Sequence, residues 1–326
     1  MAKSVLIVKL GYCETLVKEE GFVPSLGDVF RHTVLLHRYA NDRVTWLTSA
    51  STIPLLKNNP YIHELLIYEE NIADQLAGRE FDEVICLEKA QTVCNLINTV
   101  KTKKRLGFGW DGERTEAHPL AQSTLDIANG KDPFVPIQAL LYQMVGDYWR
   151  GEDYVLGYVP RLHPPYTVGF NFRVGNKWPT KAWPMKHWEK LERLCVNHGL
   201  AVSWQEGEKD IEQYMDWINA GQVIVTCDSL GMHLGLALKK KTVALFGPTP
   251  SNAIYLYNRG LIVRADWACS DAPCMQSKCG QGGLCMAEIK PESVFRIVLN
   301  LLGLNGHGNG NGQKKPAEKP APAIVS

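Results

Sequence analysis

The chain has 326 residues, long for one hydrophobic core, and two domains of ordinary size fit it better. Hydrophobic residues make up 45% and charged residues 21%, which excludes a disordered or fibrous chain and indicates a globular one. A formal net charge of +1 gives no electrostatic ground for nucleic acid or an anionic membrane as the main partner, although a local phosphate site remains compatible with it. The opening run Met1 to Leu10 is too short for a signal peptide, and no stretch is long enough to span a bilayer. A cytoplasmic location is therefore expected, with the nine cysteines mostly reduced.

Val5-Leu-Ile-Val8 reads as a buried strand. Ser25-Leu-Gly-Asp28 follows a loop, and a helix is expected from Val29 to about Tyr39. Val44–Leu47 is the next strand, Ile53–Leu56 a short helix before Asn58-Asn-Pro60, and Leu65–Tyr68 and Glu83–Leu87 are further strands. That alternation implies a parallel sheet. Gly107-Phe-Gly-Trp110 and the polar stretch to about Ala121 read as a loop able to line a cleft, and helical segments follow around Ala139 to Trp149.

The same rhythm restarts near Tyr166. Thr167–Asn171 is a strand, and Trp183-Pro184 opens a helix with proline at its first position. Leu200–Trp204 is a strand and Ile211–Ile218 a helix. Val223–Thr226, a turn at Cys227-Asp228, a short helix and Thr242–Phe246 then form one βαβ unit. Asp228 stands where a helix N-cap belongs, at the carboxyl edge of a parallel sheet, where free N–H groups attract anions. Ser229 and His233 are four apart and share a helical face, so a hydroxyl and an imidazole adjoin those N–H groups. The arrangement suits a diphosphate; a capped core helix with a hydrogen-bonded histidine reads equally well from spacing alone. The architecture that follows is α/β, two doubly wound domains facing across a cleft, at residues 1–160 and 161–304, with the Pro-rich stretch 160–165 joining them. Residues 305–326, rich in Gly, Asn, Lys and Pro, are expected to be a disordered tail.

Five motifs in order carry a family resemblance: Ser25-Leu-Gly-Asp28, Asn58-Asn-Pro-Tyr-Ile62, Lys181-Ala-Trp-Pro184, Asp228-Ser-Leu-Gly-Met-His233 and Phe246-Gly-Pro-Thr249. Together they resemble the bacterial ADP-heptose:lipopolysaccharide heptosyltransferases, glycosyltransferase family nine, over about residues 1 to 300. The resemblance implies a GT-B fold of two Rossmann-like domains and an inverting transfer that needs no metal or other cofactor. It also implies a nucleotide-sugar donor, most readily ADP-heptose, a glycan or protein hydroxyl as acceptor, and at most peripheral contact with the inner membrane.

By the same resemblance Asp28 is the general base, a role its chemistry allows, although an aspartate there equally caps a helix. Lys181 meets the diphosphate, where a mobile ammonium can follow the charge on the leaving oxygen, with Lys177 and Arg173 close enough to share the task. Asp228, Ser229, Gly231 and His233 bind phosphate and sugar, with Gly231 allowing close backbone approach, and Gly247 and Thr249 shape the same wall. Glu206 or Glu208 is placed to accept from ribose hydroxyls, and the spacing does not choose between them. Ser25, Gly27 and Trp110 fall on the acceptor side. One departure from the family pattern is the loop Gly11 to Pro24, which intervenes between the first strand and the Ser25–Asp28 turn.

Cys269, Cys274, Cys279 and Cys285 are spaced C-x₄-C-x₄-C-x₅-C within seventeen residues. Four thiolates so placed can enclose a structural zinc or iron; two disulfides or four reduced thiols are the alternatives. A branch of the family that glycosylates autotransporter proteins carries a metal in a similar insert. Two rival functions remain open at this level. One is a GT-B transferase or epimerase using another nucleotide-sugar. The other is a metal-bearing interaction module without catalysis.

Overall fold

The computed structural model describes residues 2–16, 21–205 and 210–304. The first lobe is a six-stranded sheet of β1 (Ser4–Val8), β2 (Arg43–Thr48), β3 (Ile62–Ile67), β4 (Glu80–Cys86), β5 (Lys101–Trp110) and β6 (Thr115–Ala117). Its order is β3-β2-β1-β4-β5-β6, parallel except for the last pair. Helices α1 (Leu26–Arg31), α2 (Ile53–Leu56), α3 (Ile72–Leu76) and α4 (Gln91–Thr99) connect its strands, and α5 (Gln122–Ala128) and α6 (Ile137–Met144) follow it. The second lobe contains β7 (Tyr166–Asn171), β8 (Val202–Trp204), β9 (Gly221–Cys227), β10 (Lys241–Phe246) and β11 (Gly260–Arg264), all parallel in the order β11-β10-β9-β7-β8. Its helices are α7 (Met185–Asn197), α8 (Ile211–Ala220), α9 (Leu230–Ala237), α10 (Leu284–Ala287) and α11 (Pro291–Leu302). Two doubly wound α/β domains are therefore present.

Strand order decides where ligands can go. In the first sheet the winding reverses between β1 and β4, and in the second between β7 and β9. Doubly wound sheets open a crevice at the carboxyl ends of such strand pairs, because the connections leave on opposite faces. The segments after β1, β7 and β9 carry Asp28, Lys181 and Asp228 respectively. Both crevices thus belong to one interlobe cleft.

The lobes meet helix against helix. A Cβ on Gly27 would stand 3.2 Å from His233 Cδ2 and 3.3 Å from the Leu230 backbone, so the start of α1 packs closely on the start of α9. The segment entering the second lobe is tied back to the first. Val155 donates its N–H to Thr33 Oγ1 at 3.0 Å, and Asn59 Nδ2 donates to the Val155 carbonyl at 3.0 Å.

Several local expectations are corrected. The helix after Asp28 begins earlier, at Leu26, and from His32 to Tyr39 it tightens into a 3₁₀ helix. Gly107-Phe-Gly-Trp110 is not a loop but the end of β5, paired with β4 on one side and β6 on the other. Its glycines hide the strand pattern, and Gly107 is required there. Its φ is +80° and a Cβ would lie 2.0 Å from the Cys86 carbonyl oxygen. Pro184 is the N-cap of α7 rather than its first residue. The expected disordered tail, residues 305–326, lies outside the described residues.

Candidate active site

A cavity of about 270 Å³ lies between the lobes, and both Asp28 and Lys181 line it. Ser25 and Gly27 line it from the first lobe, and Asp228, Ser229, His233 and Thr249 from the second. Of the two other cations considered from sequence, Lys177 reaches the cavity, whereas Arg173 lies over the Phe172 ring and does not.

On the first-lobe wall, Asp28 sits in the first turn of α1 and is buried. Lys9, at the end of β1 and wholly buried, places Nζ 2.6 Å from Asp28 Oδ2, and Arg31 Nη2 stands 2.5 Å from Oδ1. Burial alone would raise the Asp28 pKa, but Lys9 and then Arg31 outweigh it and hold the carboxyl well below the usual range. Lys9 is also 3.2 Å from Glu88 Oε1. Burial favours its neutral form, but the two carboxylates prevail and its pKa is raised. Glu88 itself accepts the N–H groups of Leu10 at 2.9 Å, Gly11 at 2.6 Å and Cys13 at 2.8 Å. One buried carboxylate thus fixes the start of the inserted loop.

The described part of that loop reaches the cleft through Glu14, Leu16, Val23 and Pro24. Glu14 Oε1 accepts from Ser25 Oγ at 3.0 Å and from the Trp178 indole N–H of the other lobe at 2.9 Å. Lys177 Nζ donates to the Tyr12 carbonyl at 3.2 Å, a second bond between lobes.

The second-lobe wall is built on α9. Its N-cap is Ser229, not Asp228 as the sequence suggested. Asp228 is one residue too early for that role, and its Oδ2 is occupied by Lys181 Nζ at 2.8 Å and Thr249 Oγ1 at 2.8 Å. Burial pushes the Asp228 pKa up, yet Lys181 overrides it and brings it down to about 2. Ser229 Oγ accepts from Asn171 Nδ2 at 2.9 Å rather than capping its own helix. His233 is buried with Nδ1 3.3 Å from the Tyr154 hydroxyl. Burial first, and Arg31 second, push its pKa down to about 3, so at neutral pH it is an uncharged hydrogen-bonding group.

Gly231, Gly247 and Trp110 do not line the cavity. A Cβ on Gly231 would meet Asn171 Nδ2 and the Tyr214 hydroxyl, each at 2.3 Å, so this glycine makes room for protein side chains. Gly247 faces Met286 Sδ at 2.6 Å and Cys285 Sγ at 2.8 Å by the same measure. Trp110 packs beside the cluster around Cys86 and Val93, outside the cleft lining. Glu206 and Glu208 lie outside the described residues.

Sequence reasoning passed over Lys9, Glu14, Arg31 and Glu88. The signal for Arg31 was its position three after Asp28, which puts both on one helical face. Lys9 and Glu88 follow strands β1 and β4 in the sequence, and only the sheet order brings them together.

Among the described residues no disulfide joins any of the nine cysteines. Cys269, Cys274, Cys279 and Cys285 line one cavity of about 90 Å³, together with Thr180 and Pro248. Burial, with the other three thiols adding to it, raises the Cys285 pKa. This cavity adjoins the cleft: Thr180 Oγ1 donates to the Gln276 carbonyl at 2.7 Å, and Met275 donates its N–H to the Pro248 carbonyl at 2.8 Å.

The chain is similar to several known proteins. The model for glycosyltransferase family 9 (heptosyltransferase) matches residues 206–284. Lipopolysaccharide heptosyltransferase 1 of Pseudomonas aeruginosa is 28% identical over 190 residues, 50% of this chain and 51% of that protein. The chain thus spans about half the length of that curated relative. Among solved structures, E. coli ADP-heptose lps heptosyltransferase II is similar with a TM-score of 0.65 and 18% identity, covering 92% of this chain and 98% of the other. The iron-containing dodecameric glycosyltransferase TibC from enterotoxigenic E. coli gives a TM-score of 0.58 and 14% identity, covering 93% and 79%. At such identities the structures establish the fold, which is that of the GT-B heptosyltransferases. The family 9 model thus matches part of the second lobe, and the heptosyltransferase fold extends over both lobes.

Proposed function

We propose that the protein is an inverting heptosyltransferase that moves a heptose from ADP-heptose to a glycan or protein hydroxyl. The observation that carries this reading is one acid, Asp28, and one cation, Lys181, on opposite lobes of a single cleft. The acceptor oxygen attacks the anomeric carbon as the bond from that carbon to the diphosphate oxygen breaks. The hydroxyl proton passes to the Asp28 carboxylate, and the leaving ADP takes the bonding electron pair. Lys181 and the N–H groups at the start of α9 meet the charge growing on the leaving phosphate. Ser229 and Thr249 complete that wall, and neutral His233 serves as a hydrogen-bonding partner for sugar or phosphate. Glu206 or Glu208 keeps its proposed place at the ribose.

The acceptor side is framed by Ser25, Gly27 and the inserted loop. Val23 lines the cavity, and Phe22, next to it in the chain, is 89% exposed, which suits the apolar face of a sugar ring. TibC, which shares the fold, is described in complex with ADP-D-beta-D-heptose. That supports a heptose donor for this chain.

The decisive experiment is mass spectrometry of products after incubation with ADP-heptose and candidate acceptors, beside Asp28→Asn. Loss of transfer by about 100-fold or more with donor binding retained is expected. Undiminished turnover in the variant removes Asp28 from the base role. Saturable binding of uridine but not adenine nucleotides would instead point to another nucleotide-sugar.

The Cys-rich insert supports a structural zinc or iron within the same reading. Four soft sulfur donors around one small cavity are the right kind for either ion, although among the described residues no group of three such side chains stands in metal-holding geometry. The ion would hold the insert against Gly247 and Thr180. Elemental analysis of the purified protein should find about one metal per chain, lost in Cys274→Ser; a metal-free, fully stable protein would exclude it.

A further inference from the structure

We propose that Arg31 is a second cation for the donor's diphosphate, and that it leaves Asp28 to bind it. This rests on the transferase reading and adds an order of events to it.

Three observations place Arg31 in this role. It lines the cleft from α1, facing the wall that carries Lys181 and Asp228. Its side chain is only 12% exposed, and its Nε is buried with no hydrogen-bond partner among the described residues. Among the described residues its one close ionic partner is Asp28 Oδ1, held by Nη2. A guanidinium has five N–H donors in a planar fork suited to phosphate oxygens, so a single carboxylate oxygen leaves most of that capacity unused.

The charge inventory of the cleft points the same way. Among the described residues three carboxylates line it, those of Glu14, Asp28 and Asp228. Lys181 is already paired with Asp228, and His233 is uncharged at neutral pH. Lys177 is turned to the Tyr12 carbonyl. A diphosphate entering this space therefore needs another cation, and Arg31 is the guanidinium that reaches it.

The exchange also settles a chemical conflict at Asp28. A carboxylate clamped by both Lys9 and Arg31 is a weak acceptor for a hydroxyl proton. When the diphosphate draws Arg31 away, Asp28 keeps Lys9 as counter-ion but regains a free oxygen and becomes more basic. Donor binding would thus arm the base, and the acceptor would meet an active carboxylate only when a donor is in place.

Calorimetric titration of ADP and of inorganic diphosphate into the full chain tests this. Arg31→Gln should weaken diphosphate binding by about tenfold or more, and Arg31→Lys by less. Asp28→Asn should tighten it several-fold by releasing Arg31, and that gain should vanish in the Arg31→Gln background. Binding by Arg31→Gln within about twofold of the wild type, or a gain that survives in the double variant, overturns the proposal. If Arg31→Gln does not fold, Arg31→Lys carries the test, because it keeps the charge but not the fork; unchanged affinity there counts against the proposal. A wild type that binds neither ligand overturns both this inference and the transferase reading. One that binds inorganic diphosphate through Arg31 but not ADP sinks only the adenine donor.

Discussion

Trp178 donates its indole N–H to Glu14 Oε1 at 2.9 Å across the interlobe cleft, joining the second lobe to the loop inserted after β1. Few polar bonds span that mouth, so this one should govern how firmly the roof closes over bound donor. Trp178→Phe keeps the ring and removes the N–H. A hydrogen bond to a charged group contributes about 1.5–3 kcal/mol when buried, less at this half-buried position. The expected result is a rise of about fivefold in KM for donor with kcat changed less than about twofold. Steady-state kinetics at saturating acceptor measures it, and unaltered KM would show that closure does not depend on the contact.

Glu88 is expected to be the most sensitive charge in the first lobe. Its carboxylate holds three backbone N–H groups and neighbours the wholly buried Lys9. Glu88→Gln removes the charge and leaves Lys9 with Asp28 alone. Breaking a buried pair by losing one partner costs about 3–5 kcal/mol. Urea unfolding should show that loss, and a shift below about 1 kcal/mol would mean that the loop is anchored elsewhere.

Acid should weaken the fold before most carboxylates titrate. His32 and His233 have pKa values pushed down to about 3, chiefly by burial. Between pH 6.5 and about 3 the unfolded chain therefore binds protons that the folded chain does not. Stability falls as pH falls through that window, by up to roughly 1.4 kcal/mol per pH unit for each histidine. Asp28 and Asp228, both lowered from 3.8, add a loss in the same direction only at more acidic pH. Urea midpoints at pH 7, 6 and 5 should decline, and His233→Gln should reduce the slope. A flat profile over that range contradicts the assignment.

Gly107 should tolerate no side chain. Its positive φ and the 2.0 Å approach of a Cβ to the Cys86 carbonyl combine backbone strain with a clash against the neighbouring strand. Gly107→Ala is expected to lower stability by more than about 2 kcal/mol. Gly112→Ala is a useful comparison, because its φ is +109° but nothing stands within 4 Å of the added carbon. Equal losses in the two variants would assign the whole effect to φ.

Much of this molecule could be read from local pattern. Apolar β-branched runs at Val5–Val8 and Val223–Thr226, followed by a long loop and a short turn respectively and then by a helix, announce parallel βαβ units, because period and turn chemistry are properties of neighbouring residues. The helices beside Asp28 and Asp228 were legible in the same way, but their first residues fall at Leu26 and Leu230, with Ser229 rather than Asp228 as the cap. Tertiary structure decided what those residues touch. Lys9 and Glu88 are far apart in sequence and meet because β1 and β4 are neighbours in the sheet. The glycines at 107 and 109 concealed a strand whose need for them comes from adjoining strands and side chains. Glu14 found its partner in another lobe, and Arg31 became a cleft residue through the packing of α1 on α9. Spacing along a chain selects the elements, whereas burial and long-range pairing, which set charge state and reactivity, depend on how the two sheets are wound and pressed together.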